Sequence, residues 1–105
     1  MIHLSHPEAG VALVELDVAP ANVLAMAERV RLLDAFAQIE ADRAVRVAIL
    51  AGRHGAFCTG DDLAESLSRD VPTQTAAILN FLDMCDRIAA VRVPVIAAVD
   101  GWCIG

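Results

Sequence analysis

The chain has 105 residues and 57% of them are hydrophobic, so it can form one packed domain and is too apolar to be disordered. The formal net charge is −6 and no cluster of Lys and Arg occurs, which argues against a nucleic-acid-binding surface. No apolar stretch reaches the length of a transmembrane helix, and the N-terminus lacks the pattern of a signal peptide.

The first half of the chain predicts two strands, a helix and a third strand. Residues 11–17 are rich in Val and Leu, and residues 2–4 can pair with them across the HPEAG turn. From Asn22 to about Ala41 apolar residues recur every three or four positions, which predicts a helix with Asn22 as its N-cap. Its predicted apolar stripe comprises Met26, Val30, Leu33, Phe36 or Ala37, and Ile39 or Glu40. Residues 45–52, VRVAILAG, are typical of a strand buried on both faces of a parallel sheet.

The second half predicts a short helix, a long helix and another buried strand. The short helix begins near Asp62, the long helix covers residues 73–91, and the strand covers residues 93–101. Pro72 lies just ahead of the long helix, where proline is tolerated. The predicted stripe of the long helix comprises Ile78, Phe81 or Leu82, Cys85 and Ile88. Strands separated by helices predict an α/β fold with a parallel sheet and right-handed crossovers.

The cysteines indicate a reducing compartment. Cys58, Cys85 and Cys103 are odd in number and show no CxxC spacing. We therefore expect a cytoplasmic protein in which the three thiols act as small buried hydrophobic groups.

The segment with the strongest chemical signal is residues 52–63, GRHGAFCTGDDL. Gly60 allows a sharp turn, and Asp62 with Glu65 has the spacing of a capping box at a helix start. Backbone N–H groups at a glycine turn beside a helix N-terminus can bind an anion. In acyl chemistry that anion is the charged oxygen of a thioester or ester, held in an oxyanion hole. The plain alternative is a helix start without a ligand.

Three blocks of the chain resemble the crotonase family, which is also called the enoyl-CoA hydratase/isomerase family. The loop pattern Ala-Phe-Cys/Ser-Ala-Gly-x-Asp-Leu is similar to the run from Ala56 to Leu63. VRVAILAG resembles the strand before that loop, and VPVIAAVDGWCIG resembles the later block KPVIAAVNGxAxGGG. The resemblance implies that residues 1–105 are the N-terminal part of an acyl-CoA-binding domain. The implied fold is a crotonase-like spiral of ββα units with a parallel sheet, truncated before the domain is complete.

The resemblance also implies a function. Family members hold an acyl-CoA thioester oxygen with two backbone N–H groups and stabilise an enolate, most often during hydration or double-bond isomerisation. Asp61 matches the first donor, and Gly105 adjoins the position of the second donor. The implied substrate- and CoA-binding residues are Ala56, Phe57, Thr59, Gly60, Asp61, Asp62, Leu63 and Ala64. No metal or redox cofactor is implied, since coenzyme A enters as part of the substrate. Full-length relatives are expected to form homotrimers or hexamers.

Some residues depart from the family pattern. Asp61 stands where Ala is common, and its carboxylate would oppose a developing negative charge unless the side chain turned away. Ala64 replaces a Lys that often helps to bind CoA, and Arg53 is the only cation near the loop. Asp100 replaces the commoner Asn before Gly101. These departures predict weaker contacts to CoA with an unchanged fold.

Alternative chemistries remain open at this loop. Cys58 between a strand and a helix, with His54 nearby, could be the nucleophile of a cysteine hydrolase. Asp61, Asp62 and Glu65 could bind Mg²⁺, or His54 and Cys58 could begin a zinc site.

A further alternative has no catalysis. The chain lacks half of the expected oxyanion hole and the acid/base glutamates that the resemblance places downstream. It could therefore be a catalytically incomplete fragment that acts only in binding or association. A sheet opened at the WCIG segment would expose a strand edge and apolar surface, which predicts association.

Overall fold

The computed structural model of the protein describes all 105 residues and contains six strands and three helices. In chain order the elements are β1 (Ile2–Glu8), β2 (Val11–Leu16), α1 (Met26–Ala41), β3 (Val47–Gly52), β4 (Ala56–Cys58), α2 (Leu63–Ser68), α3 (Val71–Ala89), β5 (Val95–Ala98) and β6 (Trp102–Cys103). No helix has the length and apolar character needed to cross a membrane.

A four-stranded sheet forms the base of the fold, in the order β1-β2-β3-β5. The β1 and β2 strands are antiparallel, whereas β2, β3 and β5 run parallel, with Val11 opposite Val47 and Ala48 opposite Val95. The predicted parallel sheet is therefore confirmed. Two short strands that the sequence did not predict separately, β4 and β6, form a second parallel pair.

Helix α1 covers one face of the sheet, and its buried stripe agrees with the predicted one only in part. Its buried residues are Arg29, Leu32, Ala35, Phe36 and Ile39. They pack with Ala12, Val14, Leu16 and Ala48 of the sheet. Val30, which was assigned to the apolar stripe, is 48% exposed. Phe36 and Ile39 are therefore buried as predicted, whereas Arg29, Leu32 and Ala35 complete the stripe in place of Val30.

The start of α1 is also later than predicted. The helix begins at Met26 and its N-cap is Ala25, with no side-chain cap. Asn22, the predicted N-cap, lies outside the helix with a φ of 57° and is fully buried. The assignment of Asn22 as a cap was therefore wrong, and its amide serves the neighbouring loop instead.

Helix α3 packs against α1 and begins two residues earlier than predicted. Asp70 is its N-cap and accepts a hydrogen bond of 2.8 Å from the Thr73 N–H. Pro72 consequently lies within the first turn rather than ahead of the helix. The residues that face the core are Ala77, Phe81, Met84 and Ile88. Ile78, Leu82 and Cys85 of the predicted stripe are exposed.

The predicted burial of the last strand is wrong for these 105 residues. Strand β5 is an edge of the sheet, and its Ile96 is 54% exposed. Val99, Trp102 and Ile104 are also more than half exposed, because no other element covers them. The expected apolar surface near the WCIG segment is therefore present. Cys85 and Cys103 are exposed and only Cys58 is partly buried, so the cysteines are not the buried groups that we expected.

Candidate functional site

The candidate loop runs from β3 through β4 to the start of α2. Gly60 ends the turn with a φ of 89°, a conformation that favours glycine. Its carbonyl accepts a hydrogen bond of 2.8 Å from the Leu24 N–H. The Thr59 hydroxyl donates to the Ala21 carbonyl at 2.9 Å. The loop is therefore fastened to the segment that leads into α1.

Gly60 and Gly105 lie against each other. A Cβ built on Gly105 would be 2.7 Å from the Gly60 Cα, so any side chain at Gly105 would push the two backbone segments apart. Strands β4 and β6 hold this approach through the parallel pairing of Cys58 with Cys103, and the Ile104 N–H donates to the Cys58 carbonyl at 2.9 Å. The fold thus joins two residues that are far apart in sequence.

Asn22 supports the same loop through its buried side-chain amide. Its Nδ2 donates to the carbonyls of Arg53 at 2.7 Å and Ala56 at 2.8 Å. Its Oδ1 accepts from the Val18 N–H at 2.9 Å. One buried amide therefore connects three segments of backbone, and each contact replaces a hydrogen bond to water that burial removes.

Two backbone donors border a cleft between the loop and α3. The N–H groups of Asp61 and Gly105 donate to no acceptor within the protein. The cleft has a volume of about 230 Å³. Asp61 and Gly105 line it together with Arg29 and with Ala77, Ile78, Phe81 and Leu82 of α3. The arrangement can hold an apolar group beside a polar or anionic oxygen.

The Asp61 carboxylate lies between two arginines. Its Oδ1 accepts from the Arg29 guanidinium and its Oδ2 accepts from Arg69 Nη1 at 3.0 Å. The side chains of Arg29 and Arg69 are only 2% and 6% exposed. Arg29 also donates to the carbonyls of Leu24 and Ala77, both at 3.1 Å.

Helix α2 begins at Leu63 with Asp62 as its N-cap, close to the predicted start, although the capping box is only half formed. Asp62 Oδ1 accepts from the Glu65 N–H at 3.0 Å. The Glu65 carboxylate accepts instead from the Met26 N–H at 3.0 Å and from Arg69 Nη2 at 2.8 Å. Glu65 thus links α2 to the start of α1, which its sequence spacing did not indicate.

A second polar cluster surrounds Asp17 at the end of β2. His3 Nε2 and His54 Nε2 each lie 2.7 Å from an Asp17 oxygen, and Arg53 Nη1 lies at 3.2 Å. Hydrogen bonds from the two histidines lower the pKa of Asp17 to about 2. Arg53 also pairs with Glu15. The side chain that the sequence offered as a cation near the loop is therefore engaged in ion pairs with Asp17 and Glu15.

The geometry does not support a cysteine nucleophile. Burial raises the pKa of the Cys58 thiol, opposite to the shift that activates a cysteine. Cys58 Sγ accepts a contact of 3.4 Å from the Gly60 N–H, and His54 pairs with Asp17. No group of three or more His, Cys, Asp or Glu residues is arranged to hold a metal ion, so the two metal alternatives find no ligand set.

The structure brings together only part of the predicted site. Asp61 and Gly105 both line the cleft, and Gly60 is buried against Gly105. Leu63 and Ala64 are exposed on α2. Ala56, Phe57 and Thr59 belong to the strand and turn that support the loop, and Asp62 caps α2.

Three contributors were missed from the sequence: Arg29, Arg69 and the α3 face. The sequence contains one signal for Arg29. Its position continues the helical spacing of Leu32, Phe36 and Ile39, so a charged residue lies on the apolar face of the helix. Arg69 lies directly after α2 and carried no comparable signal.

Comparisons with known proteins agree on one family. The family model described as enoyl-CoA hydratase/isomerase matches residues 6–105. The chain is 35% identical over 104 residues to the Bos taurus protein named enoyl-CoA hydratase domain-containing protein 2, mitochondrial, covering 97% of this chain and 35% of the relative.

Solved structures give the same result. An enoyl-CoA hydratase from Bacillus anthracis superposes with a TM-score of 0.90 at 28% identity, over 95% of this chain and 40% of that one. An enoyl-CoA hydratase from Mycobacterium smegmatis gives a TM-score of 0.88 at 30% identity, over 93% and 39%. The chain therefore spans about 40% of the length of these solved relatives. By sequence and by fold, it belongs to the enoyl-CoA hydratase/isomerase family, and its α/β architecture is that of the N-terminal part of the crotonase fold.

Proposed function

We propose that the protein is an acyl-CoA-processing enzyme of the hydratase/isomerase type, in which a thioester oxygen binds at the backbone N–H of Asp61, with Gly105 beside the position of the second donor. The supporting observation is the Asp61 N–H, which has no protein acceptor and lies at the edge of an apolar cleft. Such donors stabilise charge that develops on the oxygen, because they are fixed before the reaction begins. The residues of α3 would contact the acyl chain.

Two features of the site fit this proposal. The β4–β6 pairing and the Gly60–Gly105 contact keep Gly105 beside the loop that carries the Asp61 N–H, without help from side chains. The cleft is lined mainly by the apolar residues Ala77, Ile78, Phe81 and Leu82, which exclude water from a bound acyl group. The acid/base residues that would choose between hydration and isomerisation are not among those at the cleft, so the reaction is proposed only at the level of an enolate-stabilising enzyme.

The other expectations about the whole protein stay predictions. A homotrimer or hexamer, a cytoplasmic location and the absence of metal and redox cofactors follow from the resemblance or the composition alone. The name of the Bos taurus relative places that protein in mitochondria.

Replacing the Asp61 amide with an ester tests the proposal. The ester removes the N–H and keeps the side chain, and a synthetic segment 58–105 can be joined to segment 1–57 at Cys58. We expect crotonyl-CoA to bind about tenfold more weakly, the usual loss when one hydrogen bond to a polar ligand disappears. Isothermal titration of the ester and all-amide chains measures the difference.

An ester at Asp70 is the matched control. The Asp70 N–H also lacks a protein acceptor, but the residue is exposed and does not line the cleft. Its affinity for crotonyl-CoA should equal that of the all-amide chain. Equal affinity of the Asp61 ester would contradict the role of this N–H. Failure of the all-amide chain to bind crotonyl-CoA would favour the alternative of a fragment that acts only in association.

A further inference from the structure

We infer that Arg29 and Arg69 are positioning residues of the proposed site: they neutralise the Asp61 carboxylate, so that the N–H of the same residue can donate to an oxygen that gains negative charge. The inference rests on the proposed function and adds two residues to it. It also explains how an acidic residue can occupy this position of the loop.

The contacts of Asp61 are suited to this role. Each carboxylate oxygen accepts from one arginine, Oδ1 from Arg29 and Oδ2 from Arg69. Such charge-assisted hydrogen bonds are stronger than neutral ones and fix the side chain. With both oxygens engaged, the carboxylate cannot turn to face a ligand without breaking an ion pair that is largely shielded from water.

Both arginines are themselves held in place. Arg29 is anchored by the carbonyls of Leu24 and Ala77 and by the ring of Phe81, whose centroid is 5.0 Å from the guanidinium carbon. Arg69 Nη1 also donates to Gln74 at 3.2 Å. The anchors belong to α3 and to the segment leading into α1, so the position of the Asp61 side chain is set by the tertiary structure rather than by its own loop.

The charges of the cluster balance. Arg29 and Arg69 supply two positive charges, and Asp61 and Glu65 supply two negative charges. An uncompensated carboxylate would raise the energy of a developing anion at the adjacent N–H, and the effect is larger in a partly buried site than in water. Because the cluster is neutral overall, the Asp61 carboxylate does not raise the energy of that anion.

A charge-restoring pair of variants distinguishes this role from simple bracing of the loop. Arg69→Met leaves the cluster with one excess negative charge, and we expect crotonyl-CoA to bind about fivefold more weakly. Adding Asp61→Asn removes that excess while the amide oxygen can still accept from Arg29. The double variant should recover the parent affinity. If Arg69 only braced the loop, the second substitution would not restore binding, because the contacts of Arg69 to Glu65 and Gln74 would remain lost.

Arg87→Met is the control, since Arg87 is an exposed arginine whose ion pair is with Asp83. It should leave binding unchanged. A double variant that binds as weakly as Arg69→Met would overturn the neutralising role while leaving the proposed function intact. Absence of crotonyl-CoA binding to the parent chain would instead reject the proposed function.

A measurement without ligand separates neutralisation from bracing. The ¹⁵N order parameter of the Asp61 amide should be about 0.85, typical of rigid backbone, in the parent and also in Arg69→Met, because Arg29 still holds the carboxylate. A fall below about 0.6 in Arg69→Met would show that Arg69 acts by bracing the loop, and would overturn the neutralising role whether or not an acyl-CoA binds.

Discussion

Replacing Asp61 with Ala should lower the free energy of unfolding by about 3 kcal/mol, because the substitution leaves the Arg29 guanidinium in the interior without its carboxylate. Arg29 is 1% exposed, so little water reaches it to replace the lost partner. The remaining bonds to the Leu24 and Ala77 carbonyls keep the cost near the lower end of the range for broken buried ion pairs. Urea unfolding followed by circular dichroism measures the change.

The adjacent residue provides a matched control for this prediction. Asp62→Ala removes a helix N-cap that accepts only from the Glu65 N–H, and should cost about 1 kcal/mol. The two aspartates are neighbours in sequence, yet only one of them compensates a buried charge. Equal losses of stability in the two variants would show that the Arg29–Asp61 pair does not carry the effect assigned to it.

Asn22→Ala should lower the free energy of unfolding by about 4 kcal/mol. The substitution leaves the Val18 N–H and the carbonyls of Arg53 and Ala56 without the amide that satisfies them. Each buried polar group left without a partner costs about 1 to 3 kcal/mol. The φ of 57° adds strain for Ala, because Asn adopts this region more readily. The change is again measured by urea unfolding.

Two further variants separate the effect of the lost hydrogen bonds from the effect of the backbone strain. Asn22→Gly also lacks the amide but tolerates the positive φ, so it should recover about 1 kcal/mol relative to Ala. Asn80→Ala removes an amide whose Oδ1 has no hydrogen-bond partner, and should change stability by less than about 0.5 kcal/mol. A loss for Asn80→Ala as large as that for Asn22→Ala would contradict the bracing role of Asn22.

The order of the main elements and the parallel sheet could be predicted from sequence because they depend on local patterns. Residues 45–52 carry the β-branched composition of a strand inside a parallel sheet, and β3 lies within that run. Proline and capping residues located the starts of α2 and α3 to within two residues. These signals act over a few positions and need no knowledge of the packing.

The faces of the helices could not be predicted equally well. Hydrophobic periodicity assigns a charged residue to the outside, whereas Arg29 faces inward because Asp61, Leu24 and Ala77 supply its partners from other parts of the chain. In α3 the inward face was predicted only in part: Phe81 and Ile88 pack against the core as predicted, but Ala77 and Met84 are buried while the larger Ile78 and Leu82 remain exposed. Both errors come from tertiary contacts that a helical pattern does not contain.

In the candidate site, too, the local motif could be predicted and the tertiary contacts could not. The loop from Ala56 to Leu63 was recognisable because its glycine turn and helix cap form a contiguous motif. Its contact with Gly105 depends on the pairing of β4 with β6, two short strands that the sequence did not predict separately. The Arg29–Asp61 ion pair likewise joins residues 32 positions apart.

The most direct test of the account is the amide spectrum of the ¹⁵N-labelled chain during titration with crotonyl-CoA. If a thioester oxygen binds beside the Asp61 N–H, the largest changes in amide chemical shift should occur at Asp61 and Gly105. Smaller changes should occur at the cleft residues of α3. The second apolar cleft, lined by Leu33, Phe36 and Val91, should be unaffected. Shifts centred on that second cleft, or none at Asp61, would contradict the assignment of this loop as the acyl-CoA site.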